Sequence, residues 1–289
     1  MSGYLNIRNL TVRIDAGPVI LRAVSLNVAA GQVHGLVGES GAGKSMIGKA
    51  VLGTLPRAMR ITSGEIWLDD VDLLRLPPPQ RRKLIGAKAA LIPQDPLTAL
   101  NPSKRIGPQI TRRLVDILGW TKPEAEKRAL ELLEEVHIPD GLRVMRSYPH
   151  ELSGGMRQRI LIASAFAAEP KLIIADEPTT ALDVTVQKQI LHLISEMQAR
   201  HNTALLFVTH DLGVVSKVCD TLSVLYAGKV VEEARMHRFF MRPIHPYSAA
   251  LLAATPTYTD PARNLMPVPT SVTQAVEEEI RQHDVRAGV

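Results

Sequence analysis

Gly38-Glu39-Ser40-Gly41-Ala42-Gly43-Lys44-Ser45 is the stretch from which the rest of this 289-residue chain is read. The octapeptide fits G-x-x-x-x-G-K-[ST], and its flanks suit it: Val33 to Val37 reads as a buried strand and Ser45 to Leu55 as a helix. Glycines at these spacings let backbone N–H groups turn inward around phosphate oxygens, helped by the positive end of the following helix. Lys44 is then placed to reach the β- and γ-phosphates of a nucleotide as a point charge, and Ser45 to ligate Mg²⁺.

Working outward, Leu172-Ile173-Ile174-Ala175-Asp176-Glu177 is an apolar strand that ends in two carboxylates. Beside a phosphate loop, Asp176 is expected to hold the Mg²⁺ shell and Glu177 to take a proton from an attacking water. Ala204 to Val208 carries the same solid apolar signature, that of a parallel strand covered on both faces. Before the loop, Leu5, Ile7, Leu10, Val12, Ile14, Val24, Leu26 and Val28 alternate with polar positions. They predict antiparallel strands, with turns at Gly17-Pro18 and Ala30-Gly31. From Asp95 to Leu152 no comparable strand occurs, and Pro123 to Val136 has helical spacing with Thr121 as N-cap and Glu124 and Arg128 as an i,i+4 pair. The expected fold is α/β with a mostly helical insertion. A Pro-rich tail with Pro243, Pro246, Pro256, Pro261, Pro267 and Pro269 follows residue 235 and ends in a charged segment from Thr273 to Arg281 with helical character.

Composition narrows the class. Hydrophobic residues make up 45% and charged ones 22%, the balance of a soluble globular protein, and no run approaches the ~18–20 apolar residues of a membrane span. Met1 to Leu10 lacks the basic-then-apolar pattern of a secretory signal, and the single Cys219 forms neither an internal disulfide nor a metal cluster by itself. Both point to the cytoplasm. The net charge of +5 is spread thinly, with Arg81-Arg82-Lys83 as its densest run, so a solvated face near an anionic membrane is expected rather than a nucleic-acid groove.

Leu152-Ser153-Gly154-Gly155-Met156-Arg157-Gln158-Arg159 precedes a second helix, Ile160 to Ala168, and offers Ser153 and glycine amides at another helix N-terminus. With this motif the chain resembles the ABC-transporter ATPases over about residues 4–255. Gln94 matches the family's Q-loop, Ser153, Gly154, Gly155 and Gln158 its signature, Asp176 and Glu177 the Walker B pair, Ala181-Leu182-Asp183 the D-loop and His210 the switch histidine. The resemblance implies a P-loop NTPase core with an antiparallel β subdomain. It places the ATPase domain at 1–235, a helical subdomain inserted at about 95–155, and a C-terminal extension at 236–289. It also implies a head-to-tail pairing with a second ATPase subunit, in which Ser153 and Gly155 touch the γ-phosphate held by the other copy. Lys44, Gln94, Glu177 and His210 are then the catalytic set, and Ser45, Gln94 and Asp176 the Mg²⁺ set.

Within the family, Gly38-Glu39-Ser40, the run from Gln94 to Pro102, the run from Pro178 to Gln187, and His245-Pro246-Tyr247 look like the branch that powers peptide and nickel importers. That branch implies integral membrane permease subunits docked on the helical insertion, a solute-binding protein acting indirectly, and a place on the cytoplasmic face of the inner membrane. Dipeptides or oligopeptides lead as the solute, with nickel or another small solute behind. Two departures stand out. No Phe, Tyr or Trp occurs between Tyr4 and Trp67, so Arg13 or Ile14 sits where the branch usually stacks an aromatic on adenine, and no cysteine follows Pro256 to hold an iron–sulfur cluster. The other readings are a soluble ABC ATPase of translation or DNA repair, an accessory subunit of an enzyme complex, and a nucleotide-binding regulator without turnover. The first lacks its usual paired domains or long coiled coils, and the last is disfavoured by the presence of both Glu177 and His210.

Overall fold

The computed structural model of the chain describes residues 4–180, 182–255 and 267–287. It divides into two compact units, one built from residues 1–75 and 206–289 and the other from 76–205.

The first unit opens with β1 (Leu5–Ile14), β2 (Val19–Val28), β3 (Val33–Val37), α1 (Lys44–Leu52), β4 (Met59–Leu68) and β5 (Val71–Asp72). The predicted alternation is realised in an antiparallel sheet of order β2-β1-β4-β5, whose buried side chains include Leu5, Ile7, Leu10 and Val12. Every residue of β3 is buried, which is why it reads as an unbroken apolar run into the glycine loop.

The second unit contains α2 (Pro78–Lys88), β6 (Ala89–Ile92), α3 (Pro96–Ala99), α4 (Ile106–Asp116), α5 (Lys122–Glu135), α6 (Gly141–Arg146), a 3₁₀ turn at Pro149–Glu151, α7 (Gly154–Phe166), β7 (Leu172–Asp176) and α8 (Val184–His201). β6 and β7 run parallel, Ala89 opposite Leu172 and Ile92 opposite Ala175. The cap on α5 is as predicted: Thr121 Oγ1 accepts from the Glu124 amide, and the Glu124 carboxylate accepts from the Thr121 amide and hydroxyl at 2.9 and 2.6 Å. The predicted Glu124–Arg128 pair does not form. That carboxylate is committed to the cap, so Arg128 turns the other way and meets Glu135 at 3.1 Å. Arg113 on α4 ties down the start of β6, donating to the carbonyls of Gly86 at 2.7 Å and Ala89 at 2.9 Å. Burial draws its guanidinium pKa down to about 10.

In sequence β8 (Ala204–Thr209) runs across the division, and α9 (Leu212–Val218), β9 (Thr221–Tyr226), β10 (Lys229–Arg235), α10 (Met236–Met241), α11 (Pro246–Ala254) and α12 (Thr270–Ala287) complete the first unit. β9 lies parallel to β3 and antiparallel to β10. His34 of β3 is fully buried between two β9 hydroxyls, Thr221 Oγ1 at 2.8 Å and Ser223 Oγ at 2.9 Å. Burial lowers its pKa to about 4, so the ring is neutral. Cys219 is half-buried, and burial pushes its thiol up from the usual range. The Pro-rich tail is largely helical where it is described. Pro246 occupies the first turn of α11 with the His245 side chain as its cap, so that proline starts a helix.

Candidate functional site

In the first unit the phosphate loop turns from β3 into α1 as the sequence predicts. Lys44 is only 5% exposed, and its ammonium curls back over the loop to donate to the carbonyls of Gly38 at 2.8 Å and Glu39 at 2.9 Å. Glu39, Ser40 and Gly41 are exposed, whereas Gly38 and Ala42 are buried and Gly43 and Ser45 half-buried. The loop is wedged against a β-hairpin. A Cβ on Gly38 would lie 2.2 Å from the Leu225 carbonyl oxygen, so no side chain fits there. The amide of Gly228, in the β9–β10 turn, donates to the Ala42 carbonyl at 2.8 Å. Gly43, which precedes α1, offers no side-chain cap, so the positive N-terminal end of that helix still calls for negative charge. An anion answers that demand best.

His210, in the same unit, is exposed at the end of β8. Just beyond it, Asp211 caps α9 by accepting from the amides of Gly213 at 2.8 Å and Val214 at 3.2 Å. The histidine therefore sits between two fixed elements.

In the second unit, Asp176 ends β7 and Glu177 follows in a left-handed conformation, φ 47°. A non-glycine residue in that region is costly and aims its side chain away from the strand direction. The Glu177 carboxylate accepts from the Thr180 hydroxyl at 2.9 Å and from the Gln94 amide at a longer 3.5 Å. The structure thus brings together Gln94 and Glu177, which lie far apart in sequence, and adds Thr180, which motif reading did not single out.

The signature segment lies in this unit too. Ser153 caps α7, its hydroxyl accepting from the Met156 amide at 3.3 Å. Gly154 and Gly155 open the helix. A Cβ on Gly154 would meet nothing within 4 Å, and one on Gly155 only a Val186 methyl at 3.9 Å. Nothing inside the chain forbids a side chain there; the open face suits close approach of something outside it. Gln158 behaves differently. It is 1% exposed and turned inward, donating to the Pro178 carbonyl at 2.8 Å. It links the start of α7 to the segment that follows Glu177. Of Ala181-Leu182-Asp183, Ala181 lies outside the described residues, and Asp183 caps α8 through the amides of Thr185 and Val186.

The expected Mg²⁺ donors are a hydroxyl (Ser45), an amide oxygen (Gln94) and a carboxylate (Asp176). All are hard oxygen donors, the type that suits Mg²⁺ when phosphate oxygens and water complete its shell. Among the described residues no group of three or more His, Cys, Asp or Glu side chains forms an all-protein metal cage.

Comparison with known proteins gives a consistent result. The sequence profile of the ABC transporter family matches residues 21–180. The dipeptide transport ATP-binding protein DppD of Escherichia coli K12 is 43% identical over 268 residues, covering 92% of this chain and 82% of the relative. The oligopeptide transport ATP-binding protein OppD of Lactococcus lactis subsp. cremoris SK11 is 45% identical over 257 residues, 89% of this chain and 76% of the relative. Among solved structures, the dimeric post-hydrolysis state of the ATP-binding cassette MJ0796 bound to ADP and Pi superposes with a TM-score of 0.70 at 26% identity. The match covers 80% of this chain and 98% of that one.

Proposed function

We propose, from the premise that this chain belongs to the ABC transporter family, that it is the ATP-binding and ATP-hydrolysing subunit of an importer for dipeptides or oligopeptides. One observation carries the catalytic part: the Glu177 carboxylate, at the exit of a buried strand, is held in a left-handed backbone by Thr180 and Gln94. A carboxylate kept in one orientation is what proton removal from a water requires. On this reading Gly38, Glu39, Ser40, Gly41, Ala42, Gly43, Lys44 and Ser45 wrap the phosphates, and Lys44 leaves its two loop carbonyls to meet the β- and γ-oxygens. When bound, Mg²⁺ neutralises charge on those oxygens, and Ser45, Gln94 and Asp176 are the residues that would hold it. Glu177 accepts the proton of the attacking water, and His210 stabilises charge on the transferring group. Gln158 acts from inside, holding the segment after Glu177 through the Pro178 carbonyl.

A second ATPase subunit, identical or related, completes each site by presenting Ser153, Gly154 and Gly155 to the γ-phosphate. The open face at both glycines supports this. In the helical unit a groove of about 780 Å³, lined among others by Lys104, Arg105, Gln109, Arg112, Leu142 and Met145, suits a cytoplasmic segment of an integral membrane permease. Such a partner would supply the membrane anchor and place the chain on the inner face. None of the described helices is long and apolar enough to cross a membrane.

Glu177→Gln tests the reading. It keeps shape and one hydrogen-bond acceptor but removes the base, so steady-state hydrolysis should fall about 10²- to 10⁴-fold while ATP binding persists. The protein should then collect as an ATP-bound dimer in size-exclusion chromatography. Hydrolysis at the wild-type rate would dismiss Glu177 as the base.

A further inference from the structure

The His245-Pro246-Tyr247 motif and the tail after residue 235 take no part in the chemistry above, yet they are built into the wall behind the phosphate loop. That wall is the β9–β10 turn. Leu225 blocks any side chain on Gly38, and the Gly228 amide holds the Ala42 carbonyl. All four turn residues from Tyr226 to Lys229 are gripped from outside. The Ala227 carbonyl accepts from Arg22 Nη1 at 2.7 Å, the Tyr226 hydroxyl meets Glu277 at 3.4 Å, and Lys229 Nζ meets Glu279 at 2.7 Å. Arg22 is itself anchored on α12, its Nε lying 3.0 Å from both carboxylate oxygens of Asp284. Its backbone joins in, the amide donating to the Gly228 carbonyl at 2.8 Å.

Every carboxylate in this grip belongs to α12, and the helix is seated rather than loosely apposed. Val276 and Ile280 are 3% and 6% exposed, in one core cluster with Phe239, Tyr247 and Val37, the residue just before the loop. Tyr247 is fully buried and packs edge-on against Tyr226 with ring centroids 4.7 Å apart. Glu279 also meets His245 at 3.3 Å, joining the motif to the same helix. The Arg22–Asp284 pair is 16% and 22% exposed, sheltered enough for charge-assisted bonds to hold the geometry. Burial and the nearby Glu39 charge raise the Tyr247 hydroxyl, and the Lys229 ammonium holds Glu279 below the usual carboxylate range.

We propose that Arg22 and the α12 carboxylates Glu279 and Asp284 are positioning residues for the phosphate loop: the C-terminal helix clamps the β9–β10 turn, and the turn fixes the curvature of residues 38–43 for nucleotide phosphates. The tail is on this account an internal brace of the ATP site. Loosening it weakens the grip on phosphate without touching the catalytic groups, so KM rises and kcat holds. The inference rests on the reading of residues 38–45 as the phosphate site.

The test uses full-length protein and the double variant Glu279→Gln with Asp284→Asn, which removes charge with little change in shape. Its KM for ATP should rise about 3- to 10-fold with kcat within about twofold of wild type. Without nucleotide, amide exchange of peptides covering 38–46 should quicken by a similar factor. Asp284→Glu, which keeps the carboxylate, should stay near wild type on both readouts. Should the double variant not fold, Asp284→Asn alone carries the same comparison. Two results overturn the proposal. One is freed exchange in 270–287 with unchanged KM and unchanged exchange in 38–46. The other is exchange quickened equally in the β1–β2 sheet, which marks general destabilisation. If wild-type protein did not bind ATP, the proposed function would fall on its own, and loop exchange would still decide whether the brace exists.

Discussion

His34 offers a prediction whose size follows from its surroundings. It lies on β3, fully buried between Thr221 and Ser223 of β9, with its pKa drawn from 6.5 to about 4 because the charged ring would lose its hydration. In the unfolded chain the same ring titrates near its ordinary value of about 6.5. Between those two values the unfolded state binds more protons than the folded one, so stability is lost as pH falls from about 6.5 towards 4. The loss amounts to roughly 2 kcal/mol at pH 5 and levels off at about 3 kcal/mol below pH 4. Other groups titrate in this range, so the comparison must be differential. Urea unfolding of wild type and His34→Gln at pH 7.5 and pH 5.0 isolates the ring, since glutamine has nothing to protonate. Whatever packing His34→Gln loses at pH 7.5, the gap between wild type and variant should close by roughly 2 kcal/mol on going to pH 5.0. A gap that stayed constant across the two pH values would mean that the buried ring does not resist protonation, and the reasoning would fail.

Two further substitutions probe particular contacts. Arg113→Leu leaves the Gly86 and Ala89 carbonyls without their donor, and at about 1–3 kcal/mol per buried unpaired group it should cost the 76–205 unit roughly 2–6 kcal/mol, read from thermal or urea unfolding. Gly228→Ala places a Cβ 2.0 Å from the Ile20 carbonyl oxygen at φ 81°, so the turn must shift. The left-handed backbone alone costs about 1–2 kcal/mol, and because the same residue holds Ala42, a fluorescent ATP analogue should bind more weakly; unchanged affinity would show that the loop is indifferent to its wall.

Where a signal was local, the chain could be read from sequence. The phosphate loop, the solid apolar strands β3, β7 and β8, and the capped α5 all advertise themselves within a dozen residues of their own sequence. β9 and β10 do not, although they form the wall of the site. Their two-residue turn, Ala227-Gly228, has positive φ at both positions, 42° and 81°, yet it lacks the Asn-Gly or Asp-Gly pair that usually announces such a hairpin. In the tail the run of prolines hid a helix start, because Pro246 as a helix starter is visible only once His245 is known to cap it. The partners of the Glu177 carboxylate were hidden for another reason. Thr180 and Gln94 reach Glu177 only through tertiary placement, which no periodicity encodes.

The two glycine motifs sit at helix N-termini that differ in a way that bears on how turnover is controlled. At α1 no side chain caps the helix, Gly43 being unable to, and the Lys44 ammonium rests on the Gly38 and Glu39 carbonyls, acceptors it can exchange for an anion. At α7 the Ser153 hydroxyl already serves the Met156 amide, so the signature end is stable without a ligand. A chain built this way gains most from nucleotide at its own loop and comparatively little at its signature. On the proposed reading binding is therefore a property of one subunit. Hydrolysis requires a second subunit whose satisfied signature is nonetheless pressed onto the γ-phosphate. The free energy for that pressing must come from the interface as a whole, which gives a permease a lever: by changing how readily two subunits close, it can govern turnover while each subunit's own contacts to ATP stay as they are.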